Sequence, residues 1–351
     1  MTAELSPSTP ESSTAPRATL YEASTQYRHW RYSLQQLAHT RAALNTAAVS
    51  AIREAFESDE PGSSSNVSFL SADEEHLLVK LYVGKISQLC GHFRFPEEVE
   101  ATAATYMKRF YLKNTVMDWH PKNVMLTALF LATKTTNHPI SLEAYTSHIP
   151  KTAPSDVLDL EFLVAQSLGF DFAVWHAHRS LWGLWLDIQS LPDAPLDDLR
   201  ASYDAALKHV RASRLTDAEL VYAPSQIALA CLSLASPPLA VAWARSKFPA
   251  IPDPPVLAVL EPIKDMILKD GSPPEVEAVR EVDRRLKLCK NPEKVVGSTA
   301  YTKKKEEAER KADEKRRRKA DDIKRAMEDG DPFGSELAGR AVDDDDDDDE
   351  D

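Results

Sequence analysis

Apolar residues recur every three or four positions along most of this chain, which is the period of one buried face of an α-helix. The stretch before residue 111 shows it at Val99, Ala103, Tyr106 and Phe110. The next stretch is apolar on nearly every side, with Val124, Met125, Leu126, Ala128, Leu129, Phe130, Leu131 and Ala132. A helix that is apolar all round lies inside a bundle. We therefore predict two helices joined by a turn at His120-Pro121, the second of them central and ending at Lys134.

Helix-start and helix-stop residues divide the surrounding chain. Ser33 is a plausible N-cap for a helix over residues 33–55, and Ser71 with Glu74 forms a capping box. That second helix is predicted to stop at Gly91, and Pro96 starts the next one. A short helix is predicted near residues 141–148, and a longer one over 157–168, capped at residues 155–156 and stopped by glycine. Residues 71–170 therefore hold five predicted helices, without strand-like alternation.

A second, similar set of helices follows, over residues 175–188, 196–211 and from Pro224 onward. Six residues of the central helix match six in the Pro224 helix at one constant offset of 103: Pro121, Val124, Leu126, Leu129, Leu131 and Ala132 against Pro224, Ile227, Leu229, Leu232, Leu234 and Ala235. The constant offset and the shared proline favour an internal repeat. The second copy ends at Pro237-Pro238 and lacks the lysine that closes the first, and two further helices are predicted near 240–247 and 256–269.

The predicted fold class is all-α, with two tandem five-helix folds and flanking N- and C-terminal helices. The predicted boundaries are a disordered head (1–24), an N-terminal helix (25–60), a first fold (71–172), a second fold (173–270), a C-terminal helix (273–295) and a charged tail with an acidic end (296–351). The head is rich in Ser, Thr and Pro, a composition that cannot bury enough apolar surface to fold.

Charge is concentrated at the C-terminus. The formal net charge is −13, but Asp343–Asp351 are all acidic, which leaves −13 + 9 = −4 for the rest. The body therefore offers no basic face for nucleic acid. Residues 303–325 contain twelve basic and seven acidic residues, including the basic cluster Lys315–Lys319. That cluster is interpreted either as a solvated helix face or as a nuclear-import signal.

Several kinds of chemistry have no candidate residues. The three cysteines are far apart, which is typical of buried or free thiols in a reducing compartment. Glycine-rich phosphate loops, metal-binding histidine spacings and a nucleophile elbow are all missing from the sequence. We therefore expect neither an enzyme nor a bound cofactor or metal. An N-terminal signal peptide and an apolar run of membrane-spanning length are also not expected.

Three stretches resemble a known family: Arg28-His29-Trp30 with its following helix, Val116-Met-Asp-Trp-His-Pro121, and Leu215-Thr-Asp-Ala-Glu-Leu-Val-Tyr-Ala-Pro-Ser-Gln-Ile-Ala-Leu229. Together with the two five-helix repeats, they resemble the cyclins, and among these the transcription-type cyclin of the CDK-activating kinase in general transcription factor TFIIH. The segment Tyr106-Met-Lys-Arg-Phe-Tyr111 resembles the second helix of that type. The resemblance extends from about Thr25 to Cys289.

The resemblance implies a non-catalytic subunit whose first fold packs on the regulatory helix of a kinase and completes the kinase active site. Cyclins anchor this contact through a Lys at the end of the third helix and a Glu in the fifth, which here are Lys134 and Glu161. The implied partners are a cyclin-dependent kinase, a RING-finger assembly factor and the TFIIH core, in the nucleus. The implied substrates are CDK activation loops and the C-terminal domain of RNA polymerase II. Neither direct contact with nucleic acid nor a membrane is expected.

Simpler interpretations of the site residues stay open from the sequence. Lys134 could serve only its own helix C-terminus, and Glu161 could be a solvated surface residue. Phe130 is expected either in the core or at the kinase interface. Trp30 either staples the N-terminal helix to the bundle or touches the kinase, and the second is preferred.

Two positions differ from the family pattern. Thr135-Thr136-Asn137 stands where acidic residues usually follow the Lys, and Lys108 stands where cell-cycle cyclins have an Asp that supports it. Transcription cyclins commonly lack that Asp, and Glu161 is then the main support expected for Lys134.

Two other functions compete with that of a kinase-activating cyclin. The first is a cyclin-fold adaptor resembling TFIIB, which binds nucleic acid or polymerase without a kinase. It requires a basic bundle face and usually a zinc ribbon, and neither is present in this sequence. The second is a scaffold that holds partners without activating a kinase.

Overall fold

A computed structural model of the chain describes residues 19–191, 196–251 and 255–328. Within these ranges the secondary structure is helical, without strands, which confirms the all-α prediction. Two N-terminal helices, α1 (Thr25–His29) and α2 (Leu34–Asp59), come first. The first fold contains α3 (Ala72–Phe93), α4 (Glu97–Phe110), α5 (Pro121–Thr135), α6 (Leu142–Ser147), α7 (Ser155–Leu158) and α8 (Glu161–Ser167).

The second fold and the C-terminal part follow in chain order. The second fold contains α9 (Ala177–Gln189), α10 (Leu196–Ser213), α11 (Ala218–Val221), α12 (Pro224–Ala235), α13 (Pro237–Lys247), α14 (Pro255–Ala258) and α15 (Glu261–Asp270). The C-terminal helices are α16 (Val276–Leu286) and α17 (Thr299–Glu328). Short 3₁₀ turns lie at Ser63–Asn66 and Pro292–Lys294. In the part of the chain that the structure describes, none of these helices is long and apolar enough to cross a membrane.

Helices α4 and α5 form the centre of the first fold. Every residue of α5 from Val124 to Thr133 is buried, as the all-round apolar pattern predicts. Pro121 stands at its first turn, and His120 caps it by accepting a hydrogen bond from Lys122 N at 3.1 Å. The buried hydroxyl of Tyr145 on α6 donates to the carbonyl of Leu126 at 2.9 Å.

The second fold repeats this plan around α12. Its core includes Ile227, Leu229 and Leu232, each less than 4% exposed. Helices α5 and α12 both begin at the proline that the repeat predicted. The fifth helix of each fold is also broken in the same way, as α7 followed by α8 and as α14 followed by α15. The sequence comparison did not show this second likeness, which places Glu161 and Glu261 at the first position of equivalent helices.

Three local predictions were wrong. Helix α3 continues past Gly91 to Phe93, and Arg94 ends it with a left-handed backbone (φ 57°). The predicted single helix over residues 157–168 is interrupted between α7 and α8. Helix α11 was not predicted, because four residues are too few to show a helical period. Helix ends and single-turn helices are the features that a local sequence pattern defines least well.

The cap predicted at residues 155–156 is also wrong, because Ser155 is the first residue of α7 and Pro154 precedes it without a side-chain cap bond. The caps at Ser71 and Ser33 and the C-terminal helix are present. Ser71 and Glu74 form the capping box at α3, and Ser33 Oγ accepts from Gln36 N at 3.1 Å. Helix α16 packs on α3 through the face that carries Val279, Val282 and Leu286. Arg285 adds an ion pair to Glu74 at 2.6 Å. Val276 and Leu288 are exposed.

Helix α17 is exposed along residues 305–325. Lys304 near its start pairs with Glu293 at 2.9 Å, and Thr299 donates a hydrogen bond to Asp59. The predicted disordered head lies almost entirely, and the acidic end of the tail entirely, outside the described residues.

Candidate functional site

Lys134 and Glu161 are brought together from two helices. Lys134 lies in the last turn of α5, and Glu161 is the first residue of α8. Their Nζ and Oε1 atoms are 2.5 Å apart, and the two side chains are 42% and 22% exposed. The break before α8 makes this geometry possible because it places a carboxylate at a helix N-terminus opposite a helix C-terminus. Each charge is also favoured by the dipole of its own helix.

Phe130 lies one turn before Lys134 on α5. It is 3% exposed, and its ring centroid is 5.5 Å from that of Tyr145, so in this chain it packs in the core. The ammonium of Lys134 lies 4.4 Å from the Phe130 ring centroid, within cation–π range. Phe130 thus helps to position the Lys134 ammonium through this cation–π contact. Direct contact of Phe130 with a kinase stays a prediction.

Three exposed apolar residues flank Glu161. Phe162 is 70% exposed, Phe170 is 56% exposed and Leu158 is 47% exposed, and the rings of the two phenylalanines lie 6.3 Å apart. Phe170 follows Gly169, and both have a left-handed backbone (φ 59° and 60°), which is strained for a residue with a side chain. Sequence reasoning missed this patch because it assigned apolar residues to the core. An apolar run too long for one buried face was the only available signal.

Trp30 is buried at the edge of the first fold. It is 2% exposed, and its Nε1 donates to Asp171 Oδ2 at 3.1 Å. The guanidinium of Arg109 and the ammonium of Lys113 lie 4.9 and 5.0 Å from the Trp30 ring centroid. The geometry therefore favours the stapling interpretation, while contact with a kinase stays a prediction. Since Asp171 follows Phe170, the N-terminal helix is held beside the exposed patch.

Arg109 is the largest buried side chain near Trp30. It is 1% exposed, and its Nη1 donates to the carbonyl of Asp171 at 3.2 Å. Burial lowers the pKa of Arg109 to about 10, which still leaves the guanidinium charged at neutral pH. Tyr106 holds the next residue, because its hydroxyl donates to the carbonyl of Phe172 at 2.6 Å. The segment that directly follows Phe170 is thus held by two side chains of α4.

Lys108 does not point toward Lys134. Its ammonium donates to the carbonyl of Thr216 at 2.7 Å and lies 3.0 Å from Glu219 Oε1, in the second fold. The residue that replaces the usual Asp therefore joins the two folds, and Glu161 supports Lys134 as expected. Arg41 reinforces the same junction with two 2.7 Å bonds to Asp217. The signature stretch 215–229 thus includes the residues that clamp the folds and α2 together.

The comparisons with known proteins agree with this architecture. A family model described as the N-terminal domain of cyclins matches residues 59–173, and one described as the C-terminal domain of cyclins matches residues 176–268. The cyclin mcs2 of Schizosaccharomyces pombe is 33% identical over 298 residues, which cover 82% of this chain and 90% of that protein.

Two solved structures are also similar. One chain of the CAK complex from Chaetomium thermophilum, solved with ATP-γ-S, has a TM-score of 0.73 and 31% identity over 78% of this chain and 90% of its own. One chain of the yeast TFIIK (Kin28/Ccl1/Tfb3) complex has a TM-score of 0.60 and 31% identity over 70% of this chain and 100% of its own. This chain belongs to the cyclin family. The predicted two cyclin folds and the resemblance to transcription-type cyclins are confirmed.

Proposed function

We propose that this chain is the cyclin H-type regulatory subunit of a cyclin-dependent kinase, in the module called CAK or TFIIK. The observation that carries the proposal is its similarity to the CAK chain, which extends over 90% of that chain's length at 31% identity. A cyclin does no chemistry of its own, so its effect on the kinase depends on the surface that it presents.

The Lys134–Glu161 pair and the exposed patch form a suitable surface. Lys134 has three N–H donors, and the ion pair with Glu161 uses one. The others can donate to carbonyls at the end of a kinase helix, and the second oxygen of Glu161 can accept backbone N–H groups. Phe162 and Phe170 add apolar contact beside these charges. Docking there would hold the kinase regulatory helix inward, with its Glu against the ATP-positioning Lys.

The binding free energy that the Lys134–Glu161 pair contributes depends on how far docking buries it. An exposed ion pair contributes at most about 1 kcal/mol, and this pair is partly exposed in the chain by itself. Excluding water by docking would strengthen its charge-assisted hydrogen bonds. Truncating one member of such a buried pair typically costs roughly 2–5 kcal/mol of binding free energy.

The test is a pull-down of the full chain with its kinase, followed by a kinase assay on a polymerase-tail peptide. We expect the Lys134→Ala/Glu161→Ala variant to lose at least about 30-fold in affinity, the equivalent of roughly 2 kcal/mol. Lys247→Ala is the matched control, because Lys247 is 41% exposed and pairs with Asp187 at 2.8 Å in the second fold. Full binding and activity of the double variant would refute this anchor. Recovery of polymerase or nucleic acid without a kinase would refute the proposed function.

The finer assignments are part of the same proposal. The yeast TFIIK structure names three components, which supports a third subunit in the complex of this chain. We propose that this subunit is the RING-finger assembly factor, that the module joins the TFIIH core in the nucleus, and that its substrates are CDK activation loops and the polymerase C-terminal domain. Co-purification of a tagged chain from nuclear extract tests the partners. A chain that co-purifies with the kinase alone would contradict the larger assembly.

A further inference from the structure

Helix α17 presents a band of positive charge that the cyclin folds do not use. The basic cluster Lys315–Lys319 consists of five consecutive cations, and all five side chains are exposed. Lys315 and Lys319 are four residues apart and therefore neighbours on one face, with Arg318 beside them. Like charges at this spacing destabilise a helix by some tenths of a kcal/mol per pair. An anion bound beside this band would relieve the repulsion.

Three of the seven acidic residues over 303–325 form ion pairs within α17. Among the described residues, ion pairs join Lys305 to Glu309, Lys311 to Glu307, and Arg316 to Asp313, at 4.0, 3.4 and 3.7 Å. Within the described part of the chain, no carboxylate lies within 4.0 Å of a charged nitrogen of the other four cations in the cluster, Lys315, Arg317, Arg318 and Lys319. Four of the five positive charges in the cluster are therefore available to an outside group.

We propose that the acidic segment Asp343–Asp351 of the same chain binds the basic cluster Lys315–Lys319. The charges are complementary. Residues 303–325 carry 12 − 7 = +5, and the acidic segment carries −9 over nine consecutive residues. No comparable run of acidic residues occurs elsewhere in the sequence. Carboxylates paired with Arg and Lys form charge-assisted hydrogen bonds, which are stronger than neutral ones.

The connecting chain is long enough for this contact. Fourteen residues, 329–342, separate the end of α17 from the acidic segment. Fully extended, they span up to about 50 Å. The eleven helical steps from Arg317 to Glu328 correspond to roughly 17 Å of helix. Glycine occurs three times in the connection and proline once, residues that permit a reversal of direction.

The contact makes the acidic segment an internal competitor for the basic cluster. Any other polyanion, whether nucleic acid or an acidic protein surface, must displace it first. Its effective concentration is set by the short connection, which typically gives millimolar values. If the segment occupies the cluster nine-tenths of the time, the apparent Kd of a rival ligand rises about tenfold. High salt should abolish the contact, since the Debye length is only about 3 Å at 1 M.

Zero-length cross-linking of the full chain tests the contact directly. A carbodiimide joins a carboxylate to a lysine amine, and mass spectrometry of the monomer fraction locates the links. We expect links from Asp343–Asp351 to Lys315 and Lys319 that disappear at 1 M NaCl. Links that are absent, that fall equally on Lys303 and Lys305 of the same helix, or that occur only in dimers would overturn the proposal.

A competition measurement tests the consequence. The probe is a 20-nucleotide single-stranded DNA, used only as a polyanion. We expect a chain ending at Val342 to bind it about tenfold more tightly than the full chain at low salt. This gain should vanish in Lys315→Gln/Arg317→Gln/Lys319→Gln and persist in the matched control Lys303→Gln/Lys305→Gln/Arg310→Gln. Equal affinity of the full and shortened chains, or a gain that survives loss of the cluster, would overturn the proposal.

Discussion

The ammonium of Lys108 lies 3.0 Å from a carboxylate oxygen of Glu219, across the junction between the two cyclin folds. The side chains are 7% and 20% exposed, so this is a largely buried ion pair. Thr105 also donates a hydrogen bond to Glu219, at 3.1 Å. The junction is reinforced by Arg214, which pairs with Glu97 and Glu100 at 2.6 and 2.9 Å. Polar and charged contacts thus make up much of this junction.

Removing the charge of Lys108 should destabilise the junction strongly. Lys108→Met leaves Glu219 as a buried carboxylate without its cation and the Thr216 carbonyl without its donor. We expect a loss of roughly 3–5 kcal/mol in the free energy of unfolding by urea. Lys108→Met/Glu219→Gln should lose less than the sum of its single changes.

Lys208→Met is the control for this prediction, because Lys208 is exposed. It should change stability by no more than about 0.5 kcal/mol. A loss below about 1 kcal/mol in Lys108→Met would mean that the ion pair does not hold the folds together.

Phe162 should affect binding without affecting stability. Its side chain is 70% exposed, so Phe162→Ala should change the free energy of unfolding by no more than about 0.5 kcal/mol. Aromatic anchors carry much of the binding free energy of interfaces. We therefore expect the affinity of the Phe162→Ala variant for the kinase to fall about tenfold or more. Leu268→Ala is the control at an equally exposed apolar residue of α15, 65% exposed. Unchanged affinity in Phe162→Ala would remove the exposed patch from the kinase surface.

Trp30 distinguishes stapling from kinase contact. Trp30→Phe keeps most of the ring packing and loses the hydrogen bond to Asp171, which should cost roughly 1 kcal/mol. We expect faster amide hydrogen exchange in α1, with kinase affinity within about twofold of the original chain. A tenfold loss of affinity with unchanged exchange in α1 would show instead that Trp30 contacts the kinase.

Acid should weaken the fold through His178. Burial lowers the pKa of His178 to about 4, and its Nδ1 has no hydrogen-bond partner. The unfolded chain takes up this proton near pH 6.5. The free energy of unfolding is therefore unaffected by this group above pH 6.5 and decreases as the pH falls toward 4. Between pH 7 and 5 the decrease is roughly 2 kcal/mol.

The measurement is the urea stability of His178→Gln at the two pH values. We expect the variant to lose about 2 kcal/mol less between pH 7 and 5 than the original chain does. Exposed His39 provides the matched control, His39→Gln. His176, in contact with the His178 ring, has a pKa that burial also lowers, so part of the pH dependence should remain in the variant. An identical pH dependence in variant and original chain would contradict the assignment.

Much of the fold follows from local pattern. The period of three and four, the capping box at Ser71 and the prolines at 121 and 224 predicted the helices that the structure contains. They succeed because the responsible interactions, side-chain caps and one apolar face per helix, lie within a few residues of each other. The same reliance on local pattern led to the wrong prediction that α3 stops at Gly91. Glycine permits a helix to end, but contacts from other elements decide whether it does.

The sequence alone determined that the chain is all-helical and internally repeated, and its resemblance to cyclins identified Lys134 and Glu161. Only the tertiary structure decided which apolar residues stay outside. Phe130 and Phe162 are equally apolar, yet one is 3% and the other 70% exposed. The structure also decided that Lys108 serves the second fold. Periodicity defines a face within one helix, but its burial depends on contacts with residues that lie far away in sequence. Thr216, for example, lies 108 positions from Lys108, and no local pattern contains such a contact.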